Sequence, residues 1–226
     1  ELLPCAQPLV RILPGESIMN IAVASFYMSN INEQVMEHQK RVMETLCPDI
    51  PFYQESTYFH HGPTMDLFLF QRTEDVIVFL DIDAVPLTPD AITTIAKMAY
   101  DNNTIAGAPQ RANHINNGQH IYVGPCVLAI QPDLYRALKC PPARETTRGD
   151  VAEEWTYTLE LSGRVPQYLD VIDYDKDSHT WDLRDGKKFG LNTFYGLDGE
   201  RMFYHAFQGR DPRQQHSFIT LCKTLL

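Results

Sequence analysis

The sequence predicts an α/β fold, a mostly parallel central sheet flanked by helices, and three observations carry that prediction. Its first half alternates short β-branched and aromatic runs with amphipathic stretches, in the order β-α-β-α-β. The run "VIVFL" at residues 76–80 is too short to cross a membrane and apolar throughout, as a strand covered on both faces must be. The chain's 226 residues, 44% hydrophobic and 21% charged, are not divided by any Gly/Ser linker, charge block or repeat, which points to one cored domain. We place that domain at residues 19–226. Residues 1–18, with prolines interrupting short apolar stretches and no basic leader, are expected to be an N-terminal extension and neither a signal peptide nor an anchor.

Each element has its own reason. "NIAVASFYM" (20–28) reads as the first strand, and "INEQVMEHQKRVMETLC" (31–47) as a helix with Val35, Met36, Val42, Met43 and Leu46 on one stripe. "IPFYQES" (50–56) is a second strand and "GPTMDLFLFQR" (62–72) a helix with Pro63 near its start. After the strand at 76–81, Pro86 and Pro89 are expected to break the chain and start the helix "PDAITTIAKMAYD". "TIAGAPQ", a Gly/Asn-rich loop "RANHINNGQH" and the strand "IYVGPCVLAI" follow. "GDVAEEWTYTLELSG" then reads as a helix capped by Gly163, and "VPQYLDV" as one more strand. Residues 173–201 are polar, aromatic and glycine-punctuated, which predicts irregular structure or short antiparallel strands. "MFYHAFQGR" returns to strand-like residues before a turn, and "HSFITLCKTLL" is a closing helix.

Composition narrows the function. A net charge of −10 with no basic patch argues against nucleic acid as a partner, and an anionic small molecule would need local help from an arginine or a metal. The five cysteines, at 5, 47, 126, 140 and 222, form no C-x-x-C pair, so a disulfide scaffold or zinc site is not expected, whereas a reducing, cytoplasmic location is. No apolar run reaches the roughly 18 residues a membrane-spanning helix needs.

The central feature is "VIVFLDIDAVPLTPD" (76–90), where Asp81 and Asp83 come directly off the buried strand. Ligands of open α/β sheets sit beyond the carboxyl ends of the strands, so this pair stands where chemistry is done. A solvated acidic turn is the alternative. Downstream, Asp150, Glu153 and Glu154 have a spacing that would place three carboxylates on one helical face, near the positive end of the helix. N-terminal capping accounts for Asp150 equally well.

These motifs resemble two known families. "DIDAV" matches the Asp-x-Asp-x-Thr/Val of haloacid-dehalogenase-like phosphatases, in which Asp81 would be the nucleophile and Asp83 the acid, with Glu154 in "GDVAE" imitating a magnesium site. Against it, about eighty residues precede the motif, and no buried strand precedes "GD". The fuller resemblance, over residues 20–210, is to metal-dependent nucleotide-sugar glycosyltransferases of the GT-A fold, the compact members of viral or bacterial kind included. It rests on "FLDIDAVPL", "YVGPCVLAI", "GDVAEEW" and "YHAFQGR" in that order.

That resemblance implies a Rossmann-like fold and transfer of a sugar from a nucleoside diphosphate sugar, a UDP-sugar first, to a hydroxyl acceptor such as a glycan. Manganese or magnesium would be held by Asp81, Asp83 and His205, imidazole favouring manganese. Ser25, Asp66, Asp81, Asp83, Gly209 and Arg210 form the expected donor-binding set, with Arg210 on the diphosphate and Asp66 on the base or ribose. A helix-surface carboxylate is the other reading of Asp66, and a core histidine the other reading of His205. Asp150, Glu153 and Glu154 are the catalytic candidates: Asp150 comes first as general base in an inverting reaction, and it steers the sugar in a retaining one. "HHG" at 60–62 is assigned a structural or nucleotide-side role, because adjacent side chains point apart. A sugar-binding protein without catalysis is the third reading.

Overall fold

A computed structural model of the chain describes residues 19–57, 60–112 and 119–226. The extension at 1–18, Cys5 within it, and most of the predicted Gly/Asn-rich loop lie outside the described residues. The N-terminal half folds as predicted: β1 (Ile21–Tyr27), α1 (Glu33–Leu46), β2 (Phe52–Ser56), α2 (His61–Phe70) and β3 (Val76–Leu80) follow in order. Asn32 caps α1, its side chain accepting from the Gln34 amide at 3.0 Å. Val35, Val42 and Met43 of the predicted stripe are buried, and so are two polar residues, His38 and Gln39.

All five residues of β3 are buried, alternately to opposite sides: Val76, Val78 and Leu80 enter one core cluster, and Ile77 and Phe79 the other. At about 1.5–3 kcal/mol per buried large apolar side chain, this strand anchors both layers. Pro86 ends a strand as expected, though not the one that leads into the aspartates, since β3 has already stopped at Leu80. After Asp83 the chain enters a short strand β4 (Ala84–Pro86), and α3 (Ala91–Asp101) begins only beyond Pro89. Pro86 is tolerated because it is the last residue of a three-residue edge strand, where a missing N–H costs little.

Next come β5 (Ala106–Arg111), β6 (Ile121–Ile130), α4 (Pro132–Ala137) and α5 (Glu153–Leu161). The predicted strand "VPQYLDV" divides into β7 (Gln167–Tyr168) and β8 (Asp170–Asp173), which belong to different sheets. Short strands β9 (Thr180–Asp182), β10 (Lys188–Gly190), β11 (Thr193–Leu197) and β12 (Glu200–His205) fill the region read as irregular or antiparallel, and α6 (Pro212–Leu225) closes the fold.

The main sheet has the order β2-β1-β3-β6-β5-β7, parallel except around β6, which runs antiparallel to both β3 and β5. A second, antiparallel sheet has the order β4-β12-β11-β8, and β9 pairs with β10 as a separate hairpin. No helix among the described residues is long and apolar enough to cross a membrane.

The two sheets meet at the aspartate pair. β3 delivers Asp81 and Asp83 to the carboxyl edge of the main sheet, and β4 immediately carries the chain into the second sheet. There β12 pairs with β4 in a register that sets His205 opposite Ala84. The Ala206 amide donates to the Asp83 carbonyl at 3.0 Å. Residues 122 positions apart thereby become neighbours.

Candidate metal and active site

Asp81, Asp83 and His205 each bring one ligand atom into a cluster whose atoms all lie within 4.8 Å of one another. His205 Nε2 is 3.1 Å from Asp83 Oδ1 and 3.7 Å from Asp81 Oδ2. The other oxygen of Asp81 is 3.8 Å from Nδ1 of His61, the first residue of α2. Asp83 and His205 are buried; Asp81 is half-buried.

The electrostatics are those of a site short of positive charge. Burial raises the Asp81 carboxyl above its usual range; His61 and His205 oppose that shift, while the carboxylates of Asp83 and Asp150 add to it. Burial would depress His205, but Asp83 and then Cys126 outweigh it and hold the imidazole well above its ordinary pKa. A proton on His205 therefore supplies the positive charge. Two hard carboxylate oxygens and one imidazole nitrogen on a shared centre fit a divalent cation such as manganese or magnesium, which would replace that proton.

The loop after β12 closes over this cluster. Phe207 and Gln208 take positive φ values of 60° and 52°, a conformation costly for non-glycine residues. Gly209 then passes so near Asp83 that a Cβ would stand 2.8 Å from its Oδ2. Any side chain there would have to displace the Asp83 carboxylate. Phe207 lies against the His205 ring with centroids 3.8 Å apart.

Two adjoining hollows share His61, Asp81, Asp83 and Gly209. The larger, about 380 Å³, is walled by Gln110, Tyr122, Pro125, Asp150 and Phe207 as well. The smaller, about 200 Å³, opens on the other side toward Tyr27, Met28, Asn30, Thr57 and Arg210.

Asp150 lines the larger hollow, but not from a helix. Helix α5 starts at Glu153, because Ala152 adopts a left-handed φ of 65°, and Asp150 lies in the turn before it. The three carboxylates therefore do not share a face. Asp150 Oδ1 accepts from the Val151 amide at 2.8 Å and Oδ2 from the Tyr122 hydroxyl at 3.3 Å. Glu153 is turned inward, accepting from the Asp150 amide and lying 2.8 Å from His120 Nδ1. Glu154 is held by Arg148, at 2.7 Å from Nε and 2.5 Å from Nη2, which keeps its carboxyl below the usual range. Neither glutamate lines the hollow.

Of the donor-binding set, Asp81, Asp83, Gly209 and Arg210 line the smaller hollow. Ser25 does not: it is wholly buried in β1, its Oγ without a partner, and the lining begins one residue later. Asp66 does not either. Its carboxylate accepts from the Tyr135 hydroxyl at 2.9 Å and the Ala143 amide at 2.9 Å, tying α2 to the segment after α4. Gly62 permits that packing, since a Cβ there would meet the Ala143 backbone at 2.6 Å.

Gln110 and Tyr122 were not among the sequence candidates, although a buried polar side chain in an otherwise apolar strand was a usable sign. His61, for which the sequence suggests a structural or nucleotide-side role, borders both hollows.

No protein-family model and no curated protein sequence matches the chain. Solved structures do. A mannosyltransferase from Pyrobaculum calidifontis, in complex with GDP-Man and Mn2+, superposes with a TM-score of 0.50 at 11% identity, over 66% of this chain and 54% of that one. The present chain thus spans about half the length of that enzyme. A Drosophila β1,4-galactosyltransferase 7, in complex with manganese, UDP-Gal and xylobiose, gives 0.47 at 9% identity, over 83% of this chain and 71% of the other. The fold is the α/β GT-A fold that the sequence predicted.

Proposed function

We propose that this chain is a metal-dependent glycosyltransferase that moves a sugar from a nucleoside diphosphate sugar, a UDP-sugar in the first instance, to a hydroxyl of an acceptor such as a glycan. One observation carries the reading: on a GT-A fold, two aspartates and a histidine gather their ligand atoms within 4.8 Å on the divide between two hollows. Asp83 and His205, with Asp81, would hold manganese or magnesium. When bound, such an ion offsets the charge that develops on a departing diphosphate.

The remaining roles follow from position. Arg210, exposed at the rim of the smaller hollow, is suited to a diphosphate, with the nucleoside beyond it toward Tyr27, Asn30 and Thr57. The larger hollow then takes the sugar and the acceptor. Asp150 lines it with a carboxylate oriented through Tyr122 and the Val151 amide, and it accepts the acceptor's proton if the reaction inverts the anomeric centre. Glu153 and Glu154 serve that turn as supports.

Thermal shift against UDP, GDP, CMP and their sugars, with and without manganese, tests the reading. A ligand at a hundredfold excess over its Kd adds about 2.7 kcal/mol. For a chain of this size that is a rise of about 5–11 °C. Asp150→Asn should keep the shift and lose roughly two to four orders of magnitude in transfer rate. Rapid hydrolysis of a generic phosphomonoester, with phosphate trapped on Asp81, would replace this reading by the phosphatase one.

A further inference from the structure

A buried amide that lines neither hollow grips the backbone of the turn carrying the aspartate pair. Gln39 of α1 is completely buried. Its Nε2 donates to the carbonyl of Asp81 at 2.7 Å and to that of Ala84 at 2.9 Å, the two ends of the turn that the Ala84 amide closes on the Asp81 carbonyl. Both of its donors are thus committed. Its Oε1 in turn accepts from Gln54 Nε2 of β2 at 2.9 Å, and Gln54 spends its other N–H on the Met36 carbonyl at 3.0 Å.

We infer that Gln39 is a positioning residue for the metal ligands, with Gln54 fixing which way its amide faces. The inference rests on the proposed metal site and deepens it. A reversed Gln39 amide would set its oxygen against two carbonyl oxygens and its nitrogen against the Gln54 nitrogen, so only one orientation satisfies every group. The two carbonyls bracket Asp81, Ile82 and Asp83. Holding them fixes the backbone from which both carboxylates project, before any ligand arrives. A hydrophobic helix stripe has no use for a glutamine at this position, and burying an amide there is tolerated only because every polar atom is paired.

The role differs from that of an ordinary core residue in one measurable respect: metal affinity should fall further than stability alone explains. Loss of a partner standing behind metal ligands costs about 10–100-fold in affinity. Gln39→Met keeps the volume and removes both donors. Leu134→Ala, on α4 and in a core cluster that holds no residue of the turn, is the control for lost stability. Manganese is the probe, and its binding to each purified protein is measured by calorimetry and by electron paramagnetic resonance of the free ion, with UDP present and absent.

We expect manganese affinity to fall at least tenfold in Gln39→Met and to stay within twofold of the unsubstituted protein in Leu134→Ala. Gln54→Leu, which leaves Gln39 in place but frees its orientation, should lose about threefold, and it decides the matter if Gln39→Met does not fold. Unchanged affinity in both glutamine variants overturns the inference while leaving the metal site intact. If the unsubstituted protein binds no manganese in either condition, the metal reading fails and takes this inference with it.

Discussion

Proton competition at His205 gives the metal site a pH signature whose sign differs with and without metal. Asp83 holds the imidazole well above its ordinary pKa against the opposing effect of burial. In the metal-free protein the raised value means that the stabilisation from protonated His205 is fully present below about pH 6.5, the unfolded value, and is lost as pH rises through the folded one. Metal binding needs the neutral ring, so its dependence runs the other way. Over the range below the raised pKa, apparent manganese affinity should rise about tenfold per pH unit, or about 1.4 kcal/mol. Between pH 6.5 and 7.5 the manganese-induced rise in Tm should therefore grow by about 3–6 °C at fixed free metal. Calorimetry in buffers of different ionisation enthalpy should count close to one proton released per ion at pH 7. His205→Ala should abolish most of that release. The reasoning is refuted if the unsubstituted protein binds manganese with no proton release and a flat affinity over that unit of pH.

Two further outcomes test the geometry around the site. Gly209→Ala places a Cβ 2.8 Å from Asp83 Oδ2; manganese titration should show weaker binding with little change in far-UV circular dichroism, and unaltered binding would mean the loop yields freely. Asp66→Ala leaves the Tyr135 hydroxyl and the Ala143 amide without their acceptor. It should cost about 1–3 kcal/mol in denaturant unfolding and leave UDP binding unchanged, whereas lost UDP binding at unchanged stability would restore Asp66 to the nucleotide site.

What was legible in the sequence is what burial imprints locally. β3 is covered on both faces, so its five residues had to be apolar, and the charges that end it stood out. The stripe of α1 and the ten-residue strand "IYVGPCVLAI" were readable for the same reason. His205 was reached only through its place in "YHAFQGR", since a single histidine carries no periodic signal. Where the expectation went astray, the deciding partner was distant or the backbone took an unsignalled turn. Asp66 is spent on an amide 77 positions away, and the left-handed Ala152 delays α5 until Glu153, separating Asp150 from the two glutamates.

Hydrophobic period and charge are properties of neighbouring residues, so the alternation of strands and helices, the aspartate pair at a strand end and the acidity of the chain could be read before any packing was known. Which polar groups meet depends instead on docking. Sheet register set His205 opposite Ala84; helix packing turned Gln39 toward the Asp81 and Ala84 carbonyls; and strand direction buried Ser25 while leaving Tyr122 against Asp150. Those pairings depend on how separate elements dock, and a hydrogen bond a few ångströms long leaves no trace in the spacing of residues that lie tens or hundreds of positions apart.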